Sequence, residues 1–173
     1  MIVDLKTLED LQSSFNLELK PEEIDLENES AKLTGKVRAE GIISKGLAET
    51  EVRGEIRAEA EIDCSRCLKT VETALKIPFK VGLVRMENFS EKGEKELDTD
   101  DLDVSVIEDD LIDLKELVRE QIILALPAQV FCREDCKGLC RICGADKNLV
   151  NCKCEDEEVD PRWSALKDLK LKK

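Results

Sequence analysis

From Glu51 to Asp63 the chain alternates without a slip. Glu51, Arg53, Glu55, Arg57, Glu59, Glu61 and Asp63 are charged, and Val52, Gly54, Ile56, Ala58, Ala60 and Ile62 lie between them. Ala, Glu and Arg favour helix by intrinsic propensity, yet a helix would spread these charges around its whole circumference. A strand places all of them on one face, so the period of two predicts a strand with one wet and one dry side. After Cys67 the alternation resumes through Val71, Thr73, Leu75, Ile77, Phe79, Val81 and Leu83. Residues 33–84 are therefore expected to form an antiparallel meander, with Cys64-Ser65-Arg66-Cys67 at the tip of a hairpin within it.

The flanks carry other signals. Short apolar alternations at 2–8 and 15–19, separated from the meander by Pro21 and acidic turns, predict strand, loop, strand. Near residue 113 the period changes to that of a helix. Asp113 and Glu116 resemble a capping box, Leu114, Leu117, Val118, Gln121, Ile122 and Ala125 share one broad face, and Pro127 ends the run. That face is expected to cover the dry side of the sheet. Residues 87–103 lack apolar periodicity and predict a mobile acidic loop. Asp160, Pro161, Trp163, Leu166 and Leu169 predict a short last helix. The expected fold class is α+β: a curved antiparallel sheet packed by one main helix, with a Cys-rich, zinc-binding C-terminal lobe. The expected division is a core domain at 1–127, holding the acidic loop, and a lobe with a basic terminal helix at 128–173.

Composition narrows the chemistry. Of 173 residues, 51 are Leu, Ile, Val or Phe, enough for a core. The formal charge is −13, and residues 87–118 hold 13 acids against 3 bases. From Cys132 onward the balance is near neutral, with 10 bases against 9 acids, so Arg133, Lys137, Arg141, Lys147, Lys153, Arg162 and the terminal lysines crowd the Cys-rich end. There is no His, which removes Ser-His-Asp and Cys-His catalysis and imidazole ligation. With 3% aromatic residues there is no row of base-stacking platforms. No signal peptide opens the sequence, and the longest apolar stretch, 122–132, is too short to span a bilayer. A soluble cytoplasmic protein is expected, and in that compartment eight thiols point to metal or redox chemistry rather than disulfides.

The thiols come in four pairs: Cys64 and Cys67, Cys132 and Cys136, Cys140 and Cys143, Cys152 and Cys154. A pair that close bites one ion and half fills a tetrahedron, so each needs a second pair. Cys140-Arg141-Ile142-Cys143-Gly144 has knuckle form, and Cys152 and Cys154 can close a ribbon on it. By elimination, Cys64 and Cys67 join Cys132 and Cys136. Two Zn2+ ions, each held by four thiolates, are expected. Three rivals use the same residues: buried thiols acting as small hydrophobes, a thioredoxin-like Cys64/Cys67 pair, and an iron–sulfur ligand set at Cys136, Cys140 and Cys143. Four tight pairs argue against the first. Strand flanks, which give no helix N-terminus to lower a thiol pKa, argue against the second. The third has the CxxxCxxC spacing of radical SAM enzymes, where it opens a large barrel; only 30 residues follow Cys143.

One combination is familiar. Cys64-Ser65-Arg66-Cys67-Leu68, Ile123-Leu124-Ala125-Leu126-Pro127, the run Cys132 to Gly144, and Asp160-Pro161-Arg162-Trp163 with Leu166 occur here in an order that resembles the bacterial YceD family of large ribosomal RNA subunit accumulation proteins. The resemblance implies a cytosolic, non-catalytic factor needed for synthesis, processing or stability of 23S rRNA. It implies metal-type positions at Cys64, Cys67, Cys132 and Cys136, whereas the Cys140–Cys154 ribbon belongs to only part of the family. The implied partners are a pre-50S particle, 23S rRNA or a large-subunit ribosomal protein, with no membrane and no small-molecule substrate. Two other readings stand beside this one: an iron–sulfur or thiol redox enzyme, and a chaperone that holds a basic ribosomal protein without touching RNA.

Overall fold

The structure, a computed structural model, describes residues 1–8, 10–46, 49–85, 104–107 and 110–154. The acidic segment 87–103 and the terminal helix expected around Trp163 lie outside these residues. Eight strands, one α-helix and a single 3-10 turn (Pro21–Glu23) are present among the described residues: β1 (Ile2–Asp4), β2 (Gln12–Leu19), β3 (Ala31–Leu33), β4 (Val37–Lys45), β5 (Glu49–Asp63), β6 (Thr70–Arg85), β7 (Val104–Ile107), β8 (Leu111–Asp113) and α1 (Leu114–Ala125).

Strands β4, β5 and β6 form the expected meander, and β2 adds antiparallel to β4 in the order β2-β4-β5-β6-β7. The alternation of β5 is realised in full: Val52, Ile56, Ala58, Ala60 and Ile62 are buried and point to the core. Two features differ from a simple meander. Strand β3 does not neighbour β4 in the sheet; both lie along the same edge of β5, with Ala31 opposite Ile62 and Arg38 opposite Arg57. They are one path interrupted at residues 34–36, where Thr34 N–H still reaches Glu59 O at 3.0 Å. Strand β7 joins β6 in parallel, Gly82 opposite Val104, so the sheet is mixed rather than purely antiparallel. The first strand is shorter than the 2–8 alternation suggested. It pairs with β8 in a separate two-stranded sheet, because β8 leads directly into α1 and carries β1 with it.

Asp113 caps α1 by accepting from Lys115 N–H at 3.0 Å. Leu114, Leu117, Val118 and Ile122 are buried and join the sheet's inner face in one core with Leu5, Phe15, Ile43, Val52 and Ile56. The helix packs on β6 and β1. On its other side Arg119 holds Asp25 O at 2.6 Å and pairs with Glu27 and Glu116, tying the chain after β2 to the helix.

Across the sheet's core face runs a row of four directly opposed residues: Phe15, Gly41, Gly54 and Phe79. A Cβ on Gly41 would fall 2.8 Å from Phe15 Cζ and 2.9 Å from Gly54 Cα. Only glycine at both central positions lets the ring reach over the backbone. The wet face is self-neutralising. Arg38, Arg57 and Lys76 stand directly abreast on β4, β5 and β6, an arrangement that repels. Neighbouring acids answer it, with Arg57 at 2.6 Å and Lys76 at 3.3 Å from Glu55, and Arg38 at 3.3 Å from Glu18.

Candidate metal centres

The hairpin between β5 and β6 ends in a knuckle. Cys64 N–H donates to Lys69 O at 2.8 Å, Leu68 N–H donates to Cys64 O at 2.9 Å, and Leu68 turns the chain through the left-handed region at φ 58°. The same construction recurs at Cys140. Cys140 N–H donates to Ala145 O at 2.8 Å, Gly144 N–H donates to Cys140 O at 2.9 Å, and Gly144 has φ 71°. Each turn aims the backbone N–H groups two and three residues ahead at the first sulfur: Arg66 and Cys67 at Cys64, Ile142 and Cys143 at Cys140. Burial pushes the Cys64 thiol up, but the backbone N–H of Cys132, together with these two amides, outweighs it and brings it down to about 6. At Cys140 the amides dominate and the thiol again lies at about 6. Each centre therefore has a knuckle sulfur prepared to be an anion, and in the first, hydrogen bonds outweigh burial to hold the Cys136 thiol down as well.

The structure gathers the eight thiols into two sets of four. The sulfurs of Cys64, Cys67, Cys132 and Cys136 lie within 4.8 Å of one another, as do those of Cys140, Cys143, Cys152 and Cys154. All are free thiols. In the first set Cys64 and Cys136 sulfurs are 3.9 Å apart, and Cys67 and Cys132 3.6 Å. A tetrahedral zinc with Zn–S near 2.3 Å sets its sulfurs about 3.8 Å apart, so the donor set fits. Thiols this close cannot all ionise without a cation. Hydrogen bonding to Cys67 raises Cys132 to about 12, and hydrogen bonding to Cys143 raises Cys154 to about 12. The two sets differ in enclosure. Cys64, Cys67 and Cys136 are buried, whereas in the second set only Cys140 is.

The first set draws on two distant stretches of chain, and a clamp holds them together. Ser65 N–H donates to Val130 O at 2.8 Å, and Val130 N–H returns a bond to Ser65 Oγ at 3.1 Å. Arg66 O accepts from Leu139 N–H at 2.9 Å, while its guanidinium donates to Cys136 O at 2.9 Å and lies 4.3 Å above the Phe131 ring. Gly138, at φ 72°, passes so close that a Cβ would sit 2.8 Å from Arg66 O. Spacing alone could not find these partners. The only sequence mark is Gly138, just ahead of Cys140. A second tie is Lys69, which pairs with Asp146 at 3.1 Å.

Residues 52–170 match the sequence model of a family described as large ribosomal RNA subunit accumulation protein YceD. The chain is similar to the uncharacterized protein YlbN of Bacillus subtilis (strain 168), with 32% identity over 82% of each chain. It is also similar to an uncharacterized protein of Mycobacterium tuberculosis, 29% identical over 82% of this chain and 64% of the relative. A third relative, in Arabidopsis thaliana, is named large ribosomal RNA subunit accumulation protein YCED homolog 1, chloroplastic; it is 34% identical over 34% of this chain and 18% of its own. No solved structure matches the chain.

Proposed function

The chain belongs to the YceD family of large ribosomal RNA subunit accumulation proteins, and from that premise we propose that it is a non-catalytic, zinc-binding ribosome-biogenesis factor supporting synthesis, processing or stability of 23S rRNA. The observation that carries the metal part of the reading is the pair of four-sulfur clusters, each gathered within 4.8 Å and the first with separations of 3.6 and 3.9 Å that suit a tetrahedron. Cys64, Cys67, Cys132 and Cys136 would hold one Zn2+, and Cys140, Cys143, Cys152 and Cys154 the other. Four protein ligands leave no open position, so zinc here supplies cross-linking rather than Lewis-acid chemistry. The family's description, which names accumulation of an RNA and no reaction, supports the non-catalytic assignment.

This chain's own residues do the rest. Residues 128–154 contribute two buried cysteines but no residue to the main apolar core beyond a packed Val130, so metal binding is folding energy for the lobe. We accordingly divide the chain into a core at 1–127 and a lobe at 128–173, with the knuckle at 64–68 as the core's contribution to the lobe. Exposed Arg133, Lys137, Arg141, Lys147 and Lys153 would meet phosphates of a pre-50S particle, in a contact that weakens steeply with salt. A cytoplasmic place of action accords with this, and among the described residues no helix is long and apolar enough to cross a membrane.

Metal analysis of anaerobically purified protein tests the first half: two zinc per chain in a colourless solution are expected, while iron with acid-labile sulfide would instead establish the redox reading. Crosslinking in cells tests the second half. Adducts to 23S rRNA support it, whereas adducts confined to a basic ribosomal protein would make the protein a chaperone. Normal 23S rRNA levels in cells lacking the protein would overturn the proposal.

A further inference from the structure

Between Cys143 and Cys152, inside the loop that the second cluster closes, Asn148 turns away from its own cluster and toward the other. Its Nδ2 donates to Cys136 Sγ at 3.4 Å and to Asp146 Oδ1 at 2.7 Å. Its Oδ1 accepts from Lys137 N–H at 2.8 Å and from Arg133 at 2.7 Å. A backbone N–H can only donate, so the Lys137 contact fixes which end of the amide faces the sulfur. Around it, Asp146 anchors the loop through Lys69 at 3.1 Å, Lys147 N–H donates to Gly138 O at 2.9 Å, and Leu139 bridges to Asp146. The donor to a first-cluster ligand is thus held in place by a loop whose two ends are second-cluster ligands.

Resting on the two-metal reading above, we infer that Asn148 is a positioning residue that couples the two centres. Metal at the second centre fixes the loop, the loop fixes Asn148, and the amide steadies the Cys136 thiolate at the first. A hydrogen bond to a ligating thiolate orients it and tempers its charge, and losing such a partner costs roughly 10–100-fold in metal affinity. Coupling is reciprocal, so a loaded first centre holds the loop in the shape that the second needs. The second centre is the more exposed and would release its metal first; the first then loses its outer donor.

The test uses the full chain loaded with zinc, with chelator-driven release followed by a chromogenic indicator and the phases assigned with a Cys64→Ser/Cys67→Ser variant. Asn148→Ala is expected to speed release from the first centre by about 10–100-fold, and Cys152→Ser/Cys154→Ser to do the same from a distance. Arg133→Ala, which removes a contact on the amide oxygen and an exposed pairing with Asp135 but leaves the sulfur's donor in place, is expected to stay within about twofold of wild type. In the cobalt-loaded protein, Asn148→Ala should move the first centre's sulfur-to-cobalt absorption to longer wavelength, a signature that loss of packing would not give. Two metals bound, with first-centre release unchanged in Asn148→Ala or in the double variant, would overturn the coupling alone. Wild-type protein that binds no metal would overturn the reading beneath it as well.

Discussion

Leu68 and Gly144 occupy the same place in two copies of one turn, both in the left-handed region at φ 58° and 71°. Each follows the second cysteine of its knuckle and each closes the turn with an N–H bond of 2.9 Å back to the first. Glycine adopts this conformation freely, whereas a side chain there costs roughly 1–2 kcal/mol. Leu68 is exposed, so removing its side chain forfeits little burial. Leu68→Gly is expected to stabilise the protein by about 1 kcal/mol, measured by chemical denaturation of the metal-loaded form.

Removing metal should separate the two halves of the molecule. With a strong chelator at neutral pH, the amides of Leu139, Cys140 and Gly144 are expected to exchange at rates of open chain. Those of Val52 to Ile62, backed by the apolar core, should stay protected. Hydrogen exchange read by mass spectrometry checks this. Cys132→Ser should lose one metal equivalent and leave the second cluster filled.

Substituting either central glycine of the Phe15–Gly41–Gly54–Phe79 row should be costly. Gly41→Ala or Gly54→Ala drives a methyl group into the facing strand's backbone, and the expected loss is about 1–3 kcal/mol, as for other overpacked cores. Ile56→Ala, two residues along the same face and fully buried, should lose about 2–5 kcal/mol through the cavity it leaves. Urea midpoints of the variants, compared at a common slope, give both values.

Acid should weaken a specific joint. Asp110 is largely buried, which pushes its carboxyl up, but Arg85 at 2.5 Å and Lys6 at 3.5 Å outweigh this and hold it below the usual 3.8. A carboxylate depressed on folding contributes stability that is fully present above the unfolded value and lost as pH falls through the folded one. The contribution should therefore persist at neutral pH and fade from about pH 4 downward. Asp110→Asn should lower stability at pH 7 and narrow its gap to wild type in that acid range, as followed by thermal melts across pH.

Strict alternation made β5 and β6 legible from sequence, because a period of two cannot be mistaken over thirteen residues. The four close cysteine pairs likewise announced two groups of four, and an N-cap with a terminating proline framed α1. Other features left no pattern. Val104–Ile107 is four residues long among acids, too short to reveal that it would pair in parallel. The interruption between β3 and β4 follows from how β5 is shared, a tertiary fact. Asn148 has no spacing relation to the sulfur it touches; its role comes from a loop folding back across twelve residues of chain.

The clamp between the β5–β6 tip and the segment after α1 also makes the chain a closed ring. Ser65 to Val130 is one continuous stretch joined at its ends, and β6, β7, β8 and α1 all lie inside it. The helix cannot swing off the sheet as a free arm, because both of its ends are tethered to the same hairpin. During synthesis the hairpin tip is made some seventy residues before Cys136, so the first centre must wait for the helix, whereas the second is drawn from fifteen consecutive residues. Order of synthesis and order of closure therefore differ: the first knuckle is made early, and its centre closes only once the chain has come back to it.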